Sequence, residues 1–197
     1  MNYQLFHQIT YYLLYGCLAI ALCIAIERLI FFFYTLRHAR RLERLVLSGS
    51  HSLDELVEQF GGQDNVPAEA LRSLVSERSK TTTPAQMENL SQAIYLVVRA
   101  KLNRHLWILD TIVTAAPLLG LLGTILGIIE TFTSLASSGI SDPKGVSAGI
   151  GTALFATALG ISTALIVLVF LNHFNDRVER ISDHLKILIL RVCARPA

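Results

Sequence analysis

Charge is scarce in this chain, and it is missing where a soluble protein would need it. Asp, Glu, Lys and Arg make up 16% of the 197 residues while 52% are hydrophobic; soluble domains carry about 25% charged residues. Met1 to Ile26 holds no charged side chain, and neither does Thr111 to Ile129. Scarcity in long blocks argues against a large soluble core and for an integral membrane protein. Cysteine is also sparse: Cys17, Cys23 and Cys193 show no CxxC and no Cys/His spacing of a metal site, so they read as free thiols. The histidines, His7, His38, His51, His105, His173 and His184, are scattered and unpaired at metal spacing. Ser and Thr in the apolar runs lack a neighbouring base, and Gly120, Gly123 and Gly127 lie inside an apolar run, not in a phosphate-cradling loop. No catalytic constellation, metal site or cofactor site emerges, which disfavours an enzyme. The basic residues flank apolar runs, which makes a nucleic-acid surface the poorer explanation.

What is present is an all-α pattern with three membrane spans. Ile9 to Ile26 is almost continuously apolar and the run resumes from Leu29 to Tyr34, enough for the roughly 20 residues that cross the hydrocarbon. A cleaved signal peptide competes weakly, because the basic residues follow the apolar run and none precedes it. Residues 1–35 are thus a first span, with Glu27-Arg28 at its inner end as an interfacial ion pair. Residues 36–105 read as a soluble helical segment that opens with Arg37, Arg40, Arg41 and Arg44. Leu42, Leu45, Val46, Leu53, Leu56, Val57 and Phe60 recur at helical spacing until Gly61-Gly62. Pro67 opens a short helix with Leu71, Leu74 and Val75 as its apolar face. Thr83-Pro84 with Gln86 forms a capping box. Nothing obvious stops the helix that begins there before the apolar region, which predicts an uninterrupted rod of about 50 residues and roughly 75 Å, kinked at Pro117.

Residues 106–136 are the second span, 137–145 a polar turn, and 146–172 the third span. Residues 173–197 are an amphipathic tail whose seam is Val178, Ile181, Leu185, Leu188 and Val192. Of the 17 Lys and Arg, only Lys144 falls in the turn and none lies in the first 27 residues. The positive-inside rule therefore places the N-terminus and the turn outside, and residues 36–105 and the C-terminus in the cytoplasm.

The second and third spans are rich in small residues. Gly123 and Gly127 form a GxxxG, and Ala148, Thr152, Ala156, Gly160 and Ala164 recur at steps of four. Such rows let helices approach closely in lipid. Gly120, Gly123, Gly127, Ala156 and Gly160 are read as packing positions. Thr124, Thr152 and Thr157 lie at membrane depth. Each has a bland reading, a bond to its own i−4 carbonyl, and a functional one, a hydroxyl lining an interior between packed spans. Asp110 and Glu130 bracket the second span as polar pore-mouth or interface groups. No acid lies at mid-membrane, so a carboxylate that titrates there must come from a partner.

These residues resemble the MotA/TolQ/ExbB proton-channel family, most closely its ExbB/TolQ branch. The resemblance rests on Ala116-Pro117-Leu118-Leu119-Gly120-Leu121-Leu122-Gly123-Thr124, then Gly127-Ile128-Ile129 and Phe132, then Ala153-Leu154, Ala156-Thr157-Ala158 and Gly160, with Glu27-Arg28-Leu29 in the first span and Asn172 closing the third. It implies a homo-oligomer, in this branch a pentamer, whose second and third spans line a central pore in a bacterial inner membrane, with a periplasmic N-terminus and a cytoplasmic C-terminus. It implies an ExbD/TolR-like single-span partner whose Asp carries protons, the coupling ion, down the proton-motive force. It further implies transmission to a TonB- or TolA-like protein that serves outer-membrane transport or envelope integrity. Motif matching places Thr124 and Thr157 on the family's pore-facing threonines. Thr152 stands where these proteins often have Glu, and Ile166 where a Pro is common, which predicts a straighter third helix. A membrane scaffold whose cytoplasmic helices bind a partner is the alternative function. A flagellar stator is disfavoured, since that branch has four spans.

Overall fold

The computed structural model describes residues 3–48, 55, 66–78, 83–138 and 143–194. The elements are α1 (Tyr3–Ser48), α2 (Val66–Arg78), α3 (Pro84–Leu102), α4 (Leu106–Ser138) and α5 (Pro143–Ala194). The described residues are helical almost throughout, and α1, α4 and α5 are each long and apolar enough to cross a membrane. The chain is therefore an all-helical, multi-pass membrane protein.

The helix starts follow the sequence. At the head of α3 the Gln86 amide N–H donates to the Thr83 hydroxyl at 3.3 Å, and the Thr83 amide N–H donates to the Gln86 side-chain oxygen at 3.2 Å. The capping box is complete, with Pro84 in the first turn, where no amide donor is needed. Pro67 stands in the first turn of α2, and Leu71 and Leu74 are fully buried as its apolar face requires.

One expectation fails. The helix that starts at Pro84 does not run into the apolar region; it ends at Leu102 after 19 residues, and α4 starts afresh at Leu106. Asn103 closes α3 by donating its amide to the Arg99 carbonyl at 3.0 Å. His105 then takes a left-handed backbone with φ 68°. Asn and His enter that region more readily than most side chains, so the chain breaks here without Gly or Pro. The rod of roughly 75 Å is thus replaced by two shorter helices.

The boundaries drawn after residues 35 and 172 fall inside α1 and α5, which pass from apolar to charged sequence without a break, α5 continuing past Ile166. Pro117 lies within α4 without ending it. Of the polar turn at 137–145, Ser137 and Ser138 end α4 and Pro143 opens α5; residues 139–142 lie outside the described residues. So do Leu53, Leu56, Val57, Phe60 and the Gly61-Gly62 break.

The chain divides into two units. The first takes in Met1–Ile26 and His105–Asn172, the second Glu27–Arg104 and His173–Ala197. In the first, the start of α1, all of α4 and the start of α5 bury Leu14, Ala21, Ala25, Leu109, Ala116, Ala153 and Ala156. In the second, the buried side chains are larger. Phe32, Leu36, Ala39 and Leu42 of α1 recur at helical spacing, and so do Phe174, Val178, Ile181, Leu185 and Leu188 of α5. The tail seam is thus a buried face as far as Leu188; the Val192 side chain lies outside the described residues. Phe32 and Phe174 pack with ring centres 5.6 Å apart and planes tilted by 34°, and Glu43 meets His184 at 2.5 Å. Arg28 forms the expected pair with Glu27 at 3.1 Å and is buried, with its guanidinium 4.9 Å from the Phe31 ring centre.

Candidate functional site

The site lies in the first unit, where α4 and α5 meet. Gly120 and Gly160 face each other so closely that neither tolerates a Cβ. One added to Gly160 would sit 2.5 Å from the Ala116 carbonyl oxygen and 3.1 Å from the Gly120 Cα. One added to Gly120 would sit 2.8 Å from the Ala156 carbonyl oxygen. These neighbours are backbone atoms, which no rotamer change can move aside. Gly123 is closed by the Ala156 methyl and, from α1, by the Thr10 methyl at 3.3 Å from an added Cβ. The small-residue rows are therefore a contact surface of two backbones, as close packing in lipid demands. Of the row at steps of four, Ala156, Gly160 and Ala164 are buried, whereas Ala148 and Thr152 are exposed.

That close approach brings two threonines together. The Thr124 hydroxyl lies 3.2 Å from the Gly120 carbonyl oxygen on its own helix and 3.1 Å from the Ala153 carbonyl oxygen on α5. The Thr157 hydroxyl donates to the Gly120 carbonyl at 3.0 Å, and the two hydroxyls contact each other directly. Each hydroxyl has one proton, so two protons serve four contacts. The cluster is rich in acceptors, and its protons can be redistributed without breaking a helical backbone bond. Both threonines are half-buried.

Its place along α4 is set off by charge. Asp110 and Glu130 are 20 positions apart on one helix, which is roughly 30 Å along the axis. Gly120 stands midway between them, and the hydroxyl cluster lies one turn further on. Asp110 is exposed and Glu130 half-buried. Neither is brought to the cluster, which among the described residues of this chain has no carboxylate. Thr152 is apart from it, on an exposed face, its hydroxyl bonded to the Ala148 carbonyl at 3.0 Å in the ordinary i−4 manner. Gly127 is buried, and its carbonyl accepts from the Thr131 hydroxyl at 2.8 Å.

Three contributors were not evident in sequence. Tyr11 donates its hydroxyl to the Thr152 carbonyl at 2.6 Å, tying α1 to α5 across 141 positions. Thr10 fills the space over Gly123. Thr131 packs against Gly149, where an added Cβ would collide with its side chain. The Tyr and Thr looked like ordinary span residues; only the pairing of registers gives them a place. Among the described residues no group of His, Cys, Asp and Glu could hold a metal ion.

Three apolar helices long enough to cross a membrane, the second and third closed on glycine and joined by a hydroxyl cluster midway along a charge-free stretch, define a helical membrane protein with a polar seam between two of its spans. The chain belongs to the MotA/TolQ/ExbB proton channel family, whose sequence pattern matches residues 61–187. A putative biopolymer transport protein ExbB homologue of Methanothermobacter thermautotrophicus is 29% identical over 138 residues, covering 68% of this chain and 47% of that protein. The biopolymer transport protein ExbB of Aquifex aeolicus is 34% identical over 108 residues, 54% of this chain and 72% of that one. The Tol-Pal system protein TolQ of Pseudomonas aeruginosa is 34% identical over 98 residues, 48% of this chain and 42% of TolQ. These similarities put the chain in the ExbB/TolQ branch, although it spans only about half the length of the first of these relatives.

Proposed function

We propose that this chain is the wall subunit of a proton-driven motor in a bacterial inner membrane, working with an ExbD/TolR-like single-span partner to energise a TonB- or Tol-type envelope system. The observation that carries the reading is the Thr124–Thr157 cluster: movable hydroxyl protons at mid-membrane, on a chain whose second span has no acid between Asp110 and Glu130. A carboxylate at that depth is costly when charged and unpaired. Hydroxyl donors lower the cost of the anion, and surplus carbonyl acceptors receive the proton of the neutral acid. A partner carboxyl passing the cluster can be accommodated in either state, and the bonds it makes differ between them. That difference is what a proton needs in order to bias motion.

Family membership and exposed apolar surface support a homo-oligomer. Leu118, Leu121, Leu122, Ile125, Ile129 and Phe132 form an exposed apolar face of α4, which lipid or further copies must cover. We take the assembly to be a pentamer with the second and third spans inward, the N-terminus periplasmic and the C-terminus cytoplasmic. Lys and Arg placement supports this orientation.

The test is made in cells that depend on the protein. Thr157→Val keeps the shape and removes the hydroxyl, whereas Thr157→Ser keeps the hydroxyl. At equal membrane levels the Val variant is expected to lose gradient-dependent uptake or envelope integrity, and the Ser variant to retain most of it. Full activity with Val contradicts the reading.

A further inference from the structure

In the second unit a hollow of about 530 Å³ lies between α1 and α5, within the size range of small-ligand sites. Arg37, Arg40 and Arg44 enter it from one face of α1, at steps of three and four, and Arg177 enters from α5. Phe32 and Phe174, buried and in ring contact, belong to its lining. Leu29 and Phe33, both exposed, continue the lining back along the apolar run of α1.

Among the described residues nothing neutralises the four guanidiniums. Among the described residues no carboxylate lines the hollow and none of the four is paired with one. Arg44 donates to the Arg40 carbonyl at 3.3 Å, and Arg177 to His173 Nε2 at 3.4 Å. Like charges gathered beside an apolar wall repel one another more strongly than in water. Arginine offers a planar fork that fits phosphate oxygens. The place is also specific: Arg37 stands three positions after Tyr34, the end of the apolar run, so the hollow lies where α1 passes from apolar to basic sequence, with Leu29 and Phe33 on one side and the arginines on the other.

We propose that this hollow binds an anionic phospholipid of the leaflet in which α1 leaves the hydrocarbon. The phosphate headgroup is held by Arg37, Arg40, Arg44 and Arg177, and an acyl chain lies along Leu29 and Phe33. The occupant needs both a phosphate and a tail, because the charged and apolar halves are continuous. The inference requires neither proton transport nor a particular orientation, so it stands or falls apart from the motor reading.

The test uses the full chain, purified and stripped of lipid in detergent, titrated with phosphatidylglycerol, phosphatidylcholine and inorganic phosphate and followed by native mass spectrometry. Phosphatidylglycerol is expected to bind saturably and at least roughly tenfold more tightly than phosphatidylcholine. Removing three of the arginines (Arg40→Gln with Arg44→Gln and Arg177→Gln) should weaken it roughly 100-fold. Removing the same charge elsewhere on the unit (Arg72→Gln with Arg180→Gln and Lys186→Gln) should leave it unchanged. Equal binding of the two lipids, equal weakening by the two triple variants, or inorganic phosphate competing as tightly as phosphatidylglycerol would each overturn the proposal. Should the first triple variant fail to fold, Arg44→Gln alone must weaken phosphatidylglycerol roughly fivefold while sparing phosphatidylcholine; no change there overturns it too.

Discussion

Between Gly120 and Gly160 two helix backbones touch, whereas Phe32 and Phe174 join their helices through two of the largest side chains available. The first pair belongs to the unit that is nearly free of charge, the second to the unit that carries most of the Arg, Lys, Asp and Glu. In hydrocarbon, burying a large apolar side chain between helices gains little, because lipid is as apolar as leucine; close backbone contact and hydroxyl bonds do the joining. In water, burying Phe, Leu and Ile is the main driving force. The same chain uses both solutions, and the change of solution marks where its surroundings change. Thr124 and Thr157 follow from the first: only helices as close as α4 and α5 can let two short hydroxyl side chains meet across them.

Substitutions in each unit can break the contrast. Phe174→Ala should have the largest effect, about 3–5 kcal/mol, because a fully buried ring is lost from a core that cannot close over the space; thermal unfolding of the purified protein gives the number. Gly160→Ala adds one carbon and should cost about 1–3 kcal/mol through overpacking, with loss of assembled protein in the membrane. Gly151→Ala, on the same helix with nothing within 4 Å of the added carbon, should be tolerated. Equal tolerance at both glycines would remove the backbone-contact account. The smallest effect is expected for Thr83→Ala, about 1 kcal/mol, which removes the capping hydroxyl of α3; hydrogen exchange in the first turn of that helix should rise while α4 and α5 keep their protection.

Much of this contrast is legible in the sequence, because it depends on local pattern. Spacing alone marks the small-residue rows, the Val178–Leu188 seam and the Thr83–Gln86 cap. What was hidden falls into two kinds. The break at Asn103–His105 has no Gly or Pro to announce it; a left-handed histidine is uncommon, and nothing local distinguishes it from a helical one. The other kind is pairing between distant registers. Tyr11 finds the Thr152 carbonyl, and Arg177 joins the arginines of α1, only once helices more than a hundred positions apart are side by side. Thr124 and Thr157 were nameable singly from the motif, but their shared bond and common use of the Gly120 carbonyl depend on the axial match of two helices. A pattern of one helix does not contain that match.

The central claim is that these two hydroxyls belong to a proton path, and proton flux tests it most directly. The chain is reconstituted with its single-span partner in liposomes, and proton uptake is followed under an imposed membrane potential. Wild-type assemblies are expected to conduct, Thr124→Ser with Thr157→Ser to conduct at a comparable rate, and Thr124→Val with Thr157→Val to fall to the level of empty liposomes at equal protein content. Wild-type flux in the Val variant would contradict the account.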